Sequence, residues 1–257
     1  MPSPVTLPRL SWGNPRSDRR ALLVHGVGST GALMWRYAVA LADAGWRVDA
    51  VDLRGHGTAP RGLDYTIAAY AIDLVHTQPG EDVPWDLVLG HSLGGAAATV
   101  ATSTDPAWTR HLVLVDPAIH LLDADRQAVR ASQEQAFADT SVDAVRAAHP
   151  EWLELDIELK AVAAQQASRF AVEQTGLQNT PWDVREAASR LAVPTHVIAG
   201  DPVVYSIFTG DLAAEVLQNP RVSMSVVPGT GHSPHRDAPD AAAGALLDAV
   251  RTWGLPS

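Results

Sequence analysis

The 257-residue chain contains no cysteine. That absence excludes disulfides, thiolate metal sites and cysteine nucleophiles together, and it permits a reducing compartment. Lysine is nearly absent as well. Lys160 is the only one, so almost all the positive charge is arginine, which reads first as a coding bias. Positive charge is scarce altogether, with 19 bases against 29 acids and a formal net charge of −10. A chain of that sign does not suit nucleic acid or an anionic membrane as partner. No run reaches the roughly 18 continuous apolar residues of a membrane helix. The stretch Met1 to Thr6 has neither the basic patch nor the apolar run of a secretion signal. The expectation is a soluble, cytoplasmic protein whose partner is a small-molecule substrate, with oligomeric state unspecified.

What is present suits a globular α/β protein. Apolar residues make up 46% and charged residues 19%, on a chain long enough to bury a substantial core. Short apolar, β-branched runs at 21–24, 47–52, 85–89, 111–115, 195–199 and 222–227 read as strands, with a weaker edge strand at 7–12. Helices are expected over about 34–44, with Trp35, Val39 and Leu41 inward, over 66–77 and over 239–252. Strands alternating with helix-length stretches predict a mostly parallel central sheet flanked by helices. Between the strands at 111–115 and 195–199 lie about 75 residues, where one crossover helix needs far fewer. This stretch is rich in helix formers at 123–138, 141–148 and 151–174. It reads as a helical insertion over the carboxyl ends of the strands, where open α/β sheets bind ligands.

The most informative motif is Gly90-His91-Ser92-Leu93-Gly94, followed by Gly95. A buried strand precedes it and an alanine-rich helix follows. That context turns a Gly-x-Ser-x-Gly match into a strained turn presenting a serine hydroxyl. Gly90 and Gly94 are required because a Cβ at either would collide with the turn. The helix behind it directs free N–H groups at whatever sits on the hydroxyl.

With His25-Gly26 after the first strong strand, Asp52-Leu53-Arg54-Gly55-His56-Gly57 after the second and Gly231-His232 after the last, the chain resembles the α/β-hydrolase superfamily over essentially its whole length. The resemblance implies a core of residues 1–116 and 191–257 with a helical cap at 117–190. It implies Ser92 as nucleophile and His232 as its base, with His235 the one rival, and an oxyanion hole made by the backbone N–H groups of Val27 and Leu93. His25, His56 and His91 are expected to shape loops and brace the turn. For the third member the chain departs from the common pattern. The usual acid position, three residues beyond Gly200, falls on Val203, which cannot orient an imidazole. Two carboxylates remain: Asp116, directly after the strand at 111–115 and the first choice, and Asp201.

A serine at the elbow excludes the alkyl-enzyme chemistry that needs a carboxylate there, and leaves acyl transfer. The first expectation is hydrolysis of an ester or lactone of a medium-sized hydrophobic molecule, with Trp182, Trp152 and Ile119 lining the pocket. A carbon–carbon bond (β-diketone) hydrolase, or a non-catalytic ligand-binding member of the fold, stands as the alternative. No cofactor is expected: His and Asp spacing supports no metal site, and Gly26-Val27-Gly28 lacks the rest of a dinucleotide fingerprint.

Overall fold

A computed structural model describes residues 3–80 and 83–257. Two short strands open the chain, β1 (Arg9–Trp12) and β2 (Arg20–Val24), and a 3₁₀ turn over Gly31–Met34 leads into α1 (Trp35–Asp43). Then follow β3 (Arg47–Val51), α2 (Ile67–Val75), β4 (Leu87–His91), α3 (Leu93–Thr104) and β5 (Leu112–Val115). The long insertion contains β6 (His120–Leu121), α4 (Asp123–Ala138), α5 (Val142–Ala148), α6 (Glu154–Gln166), α7 (Arg169–Gln178) and β7 (Trp182–Asp183). The chain closes with α8 (Arg185–Ser189), β8 (Thr195–Ala199), α9 (Gly210–Val216), β9 (Val222–Val226), α10 (Pro234–Asp237) and α11 (Pro239–Thr252).

Seven strands form one sheet in the order β1-β3-β2-β4-β5-β8-β9. Only β1 runs antiparallel to its neighbour; the other pairings are parallel. One face packs Tyr37, Ala38 and Leu41 of α1 with Ala242, Leu246 and Val250 of α11. The other packs α2, α3 and α8 around Trp85 and Trp108. Helices on both faces explain why the central strands are continuous apolar runs rather than alternating ones.

Register sets the site. Val24 pairs with Gly90, His91 with Val115, and Val115 with Ile198. Parallel strands in that register leave the sheet side by side, so His25, Ser92, Asp116 and Gly200 emerge along one edge.

One expectation is corrected here. In α1 the inward face is Tyr37, Ala38 and Leu41, continuing from Met34, while Val39 is 37% exposed. The apolar stripe follows 34, 37/38 and 41 at helical spacing, and Val39 lies off it. The stretch at 151–174, rich in helix formers, is divided between two helices, α6 and α7. Ala167 is extended, Ser168 N donates to Gly55 O, and the Ser168 hydroxyl caps α7 by accepting from Ala171 N. The two-residue strands β6 and β7 pair with each other at the neck of the insertion, and α8 beyond them packs on α3 with Ala187 and Ala188 in the core.

Candidate active site

Ser92 follows β4 with φ 53° and ψ −117°, a conformation that costs a side-chain-bearing residue about 1–3 kcal/mol. Its neighbours over-determine it. Ser92 N donates to Val115 O at 3.1 Å, and Ser92 O accepts from Ala96 N and Ala118 N. A Cβ on Gly90 would lie 2.5 Å from Gly94 O, and one on Gly94 would lie 2.5 Å from His25 O, so neither position admits a side chain.

The loop after β2 borders this serine: a Cβ on Gly26 would stand 3.0 Å from Ser92 Cβ. Two buried imidazoles hold the loop. His25 Nδ1–H donates to Gly26 O at 2.7 Å while its Nε2 accepts from Leu53 N at 3.0 Å, which fixes the tautomer. His56 packs edge-on against it. Burial pulls both below the usual imidazole range, His25 to about 4 and His56 to about 3, so both are neutral braces. Among the described residues, the backbone N–H groups of Val27 and Leu93 donate to no protein acceptor.

His232 sits in the loop after β9. Its Nδ1–H donates to Asp116 Oδ2 at 2.6 Å. A carboxylate on Nδ1 forces the tautomer that leaves the Nε2 lone pair free. Asp116 is wholly buried and also accepts from Ser206 Oγ at 2.5 Å, Ile207 N at 3.2 Å and Gly200 N at 3.4 Å, so its orientation is held on both oxygens. His91, the residue before Ser92, donates from Nε2 to His232 O at 2.8 Å and so ties the serine turn to the histidine loop. The hydrogen bonds of His232 run to Asp116 and His91, and none joins Nε2 to Ser92 Oγ among the described residues. Such contacts tighten when substrate is bound.

Asp201, the second acid proposed from sequence, is placed elsewhere. Its carboxylate accepts from Val203 N at 2.9 Å and Gly229 N at 2.8 Å, bonds that hold its pKa below the ordinary carboxylate value. It braces the loops around the site without touching His232. His235, the rival base, lies buried in α10 between the rings of Tyr37 and His91, away from Asp116.

The three residues expected to line the pocket make contacts within the protein. Trp152 is buried, donates its indole N–H to Asp237 Oδ1 at 3.0 Å, stacks on His149 at 3.7 Å and lies under the Arg236 guanidinium. Because Asp237 Oδ2 accepts from Gly231 N, Trp152 fastens the insertion to the histidine loop. Trp182 donates to Ala118 O at 2.6 Å and packs with the fully buried Ile119 in the core below the neck. A cavity of about 240 Å³ under α6, lined by Leu10, Thr30, Thr58, Leu159 and Val162, touches none of these three, nor Ser92 or His232.

Two contributors escape sequence reasoning. Ser206 orients Asp116 from ninety residues away, and a lone loop serine carries no signal of that. Tyr205 stands beside His232 with ring centroids 6.3 Å apart, flanked by the exposed Val203 and Val204. Among the described residues, no cluster of three or more His, Asp or Glu could hold a metal ion, and no helix is long and apolar enough to cross a membrane.

Comparison with known proteins agrees with this fold. A lipase of Mycobacterium tuberculosis is 35% identical over 107 residues, 42% of this chain and 40% of the lipase, so the match spans about two fifths of that relative's length. A protein of Oryza sativa subsp. japonica that carries the name probable esterase is 27% identical over 88% of this chain and 89% of its own. In structure, an E-2-(acetamidomethylene)succinate hydrolase superposes with a TM-score of 0.79 at 22% identity, covering 96% of both chains, which establishes the fold. The family model described as the alpha/beta hydrolase family matches residues 21–245, nearly the whole sheet and everything inserted in it, and the chain belongs to that family.

Proposed function

We propose that this α/β hydrolase is a serine enzyme that cleaves an ester or lactone bond of a medium-sized, largely apolar molecule through an acyl-enzyme. The observation that carries the reading is the Asp116–His232 pair, whose geometry leaves Nε2 as the basic atom beside the loop that holds Ser92. His232 Nε2 takes the proton from Ser92 Oγ as Oγ attacks the carbonyl carbon. The oxygen that gains charge is received by the N–H groups of Val27 and Leu93. Donors of this kind, each worth about 3–4 kcal/mol, act only as that charge develops. The imidazolium, steadied by Asp116, returns the proton to the leaving alkoxide, and water then repeats the sequence to release the acid.

The esterase and lipase names of the relatives support an acyl substrate. Val203, Val204 and Tyr205, exposed beside His232, support an apolar group on that side of the site. Stopped-flow mixing with p-nitrophenyl esters of two to eight acyl carbons tests the reading. The expected trace is a burst of about one nitrophenolate per chain followed by slower turnover. Hydrolysis without an acyl-enzyme, or none with any chain length, would overturn it.

A further inference from the structure

The one lysine of the chain lies at the oxyanion loop. Lys160, on α6, places its Nζ 2.8 Å from Gly28 O, one residue beyond Val27. That carbonyl is its only hydrogen-bond partner among the described residues. An ammonium has three donors, so two remain unspent. Among the described residues no carboxylate pairs with it: burial, and then the like charge of Arg236, pull the amine down to about 7. Nor is it isolated from the loop's machinery, since its charge is felt at both His25 and His56. A second insertion helix brings another polar group to the same point. The Gln133 amide of α4 occupies the place where a Cβ on Gly28 would be, with Oε1 2.1 Å from it. A half-buried cation without a counter-ion, next to an uncommitted amide, is a costly arrangement for a tether alone. In a protein of net charge −10 it makes a local positive point on the insertion, facing the loop that borders Ser92.

We propose that Lys160, with Gln133 beside it, recognises a single carboxylate at the far end of an otherwise apolar acyl chain, so that the preferred substrates are half-esters of dicarboxylic acids. This rests on the serine-hydrolase reading above. The ammonium would supply the charge and two free donors, Gln133 a third, and the incoming carboxylate would favour the charged form of the amine. Lys160 here is a specificity residue: it selects and orients the acyl chain, and takes no part in proton transfer.

The test compares monomethyl glutarate with methyl pentanoate, an ester of similar length without the carboxylate. In the wild type kcat/KM should favour the half-ester. In Lys160→Met the ratio between the two esters should fall at least tenfold, chiefly through KM for the half-ester, and Lys160→Arg should recover part of it. Gln133→Ala should move the ratio in the same direction by less. Calorimetric titration with glutarate supplies a readout independent of chemistry. The wild type should bind it and Lys160→Met should bind it at least tenfold more weakly, whether or not either ester is cleaved. A ratio that does not move in folded Lys160→Met, or glutarate affinity equal in the two proteins, would overturn the proposal. Glutarate binding lost in the variant while Ser92 fails to form an acyl-enzyme would instead uphold this inference and overturn the serine reading.

Discussion

Asp116 Oδ2 lies 2.6 Å from His232 Nδ1, across 116 residues of chain, at the exits of two strands that β8 separates in the sheet. Val203, where the family's usual acid position falls, is 91% exposed and points nothing at the imidazole. The carboxylate paired with His232 stands one strand inward of that position, at the end of β5 rather than of β8. Asp116→Asn should therefore lower kcat on a nitrophenyl ester by about 10⁴-fold while the protein stays folded, because the wrong tautomer is then favoured. Asp201→Asn, whose carboxylate only braces loops, should keep kcat within about tenfold on that scale. Steady-state kinetics on both variants decides it, and the opposite ranking would assign the acid to Asp201.

The serine turn tolerates no methyl group at its second glycine. Gly94 has the carbonyl oxygens of both His25 and Val24 within 2.5 Å of any Cβ, and these are backbone atoms of a central strand that cannot swing aside. Gly94→Ala should cost at least about 3 kcal/mol of stability, on the scale of severe overpacking, and activity should fall with it. Urea unfolding followed by tryptophan fluorescence measures the first. A midpoint equal to wild type would show that the backbone relaxes.

Asp156 holds the insertion to the core. Its wholly buried carboxylate on α6 accepts Trp35 Nε1 at 2.7 Å and the Arg36 guanidinium through Nε and Nη2 at 3.0 Å each. Removing one partner of such a pair leaves a charge without compensation, a loss of about 3–5 kcal/mol. Asp156→Ala should lower the melting temperature and open α5 and α6 to limited proteolysis before the sheet is cut. Simultaneous cleavage throughout would mean that the insertion does not depend on this contact.

Acid should destabilise the fold before its carboxylates titrate. In the unfolded chain His25 and His56 take up protons near pH 6.5, whereas in the folded protein burial delays this to about 4 and about 3. Between those limits the unfolded state binds more protons, so the share of stability carried by these two imidazoles is full above about pH 6.5 and falls as pH falls. His91 and His235, whose pKa values burial also depresses, act in the same direction. The urea midpoint should decline already between pH 6.5 and 5, above the carboxylate range. A flat midpoint over that interval would show that these imidazoles are protonated in the fold.

Much of this was legible in the amino-acid order because it is local. The strands are short apolar runs, and Gly90, Ser92 and Gly94 sit in a turn whose chemistry is written in consecutive residues. The partner of His232 was legible only as a pair of candidates, since choosing Asp116 over Asp201 depends on how strands order themselves across a sheet. The contacts of Trp152 and Trp182 were not legible for a related reason. An aromatic in an inserted segment packs equally well against substrate or protein, and the indole N–H groups of these two reach protein partners, Asp237 and Ala118 O. Ser206 and the meeting of Lys160 with Gly28 are contacts between distant segments with no periodic trace, though the solitary lysine was itself a clue.

The central claim is that Ser92 is activated by His232, and covalent labelling reads it directly. Incubation with a fluorophosphonate should add one mass equivalent to the intact chain, mapped to the peptide containing Ser92. The label should be absent in Ser92→Ala and slowed by orders of magnitude in His232→Gln. An unlabelled wild type, or equal labelling of wild type and Ser92→Ala, would contradict the account.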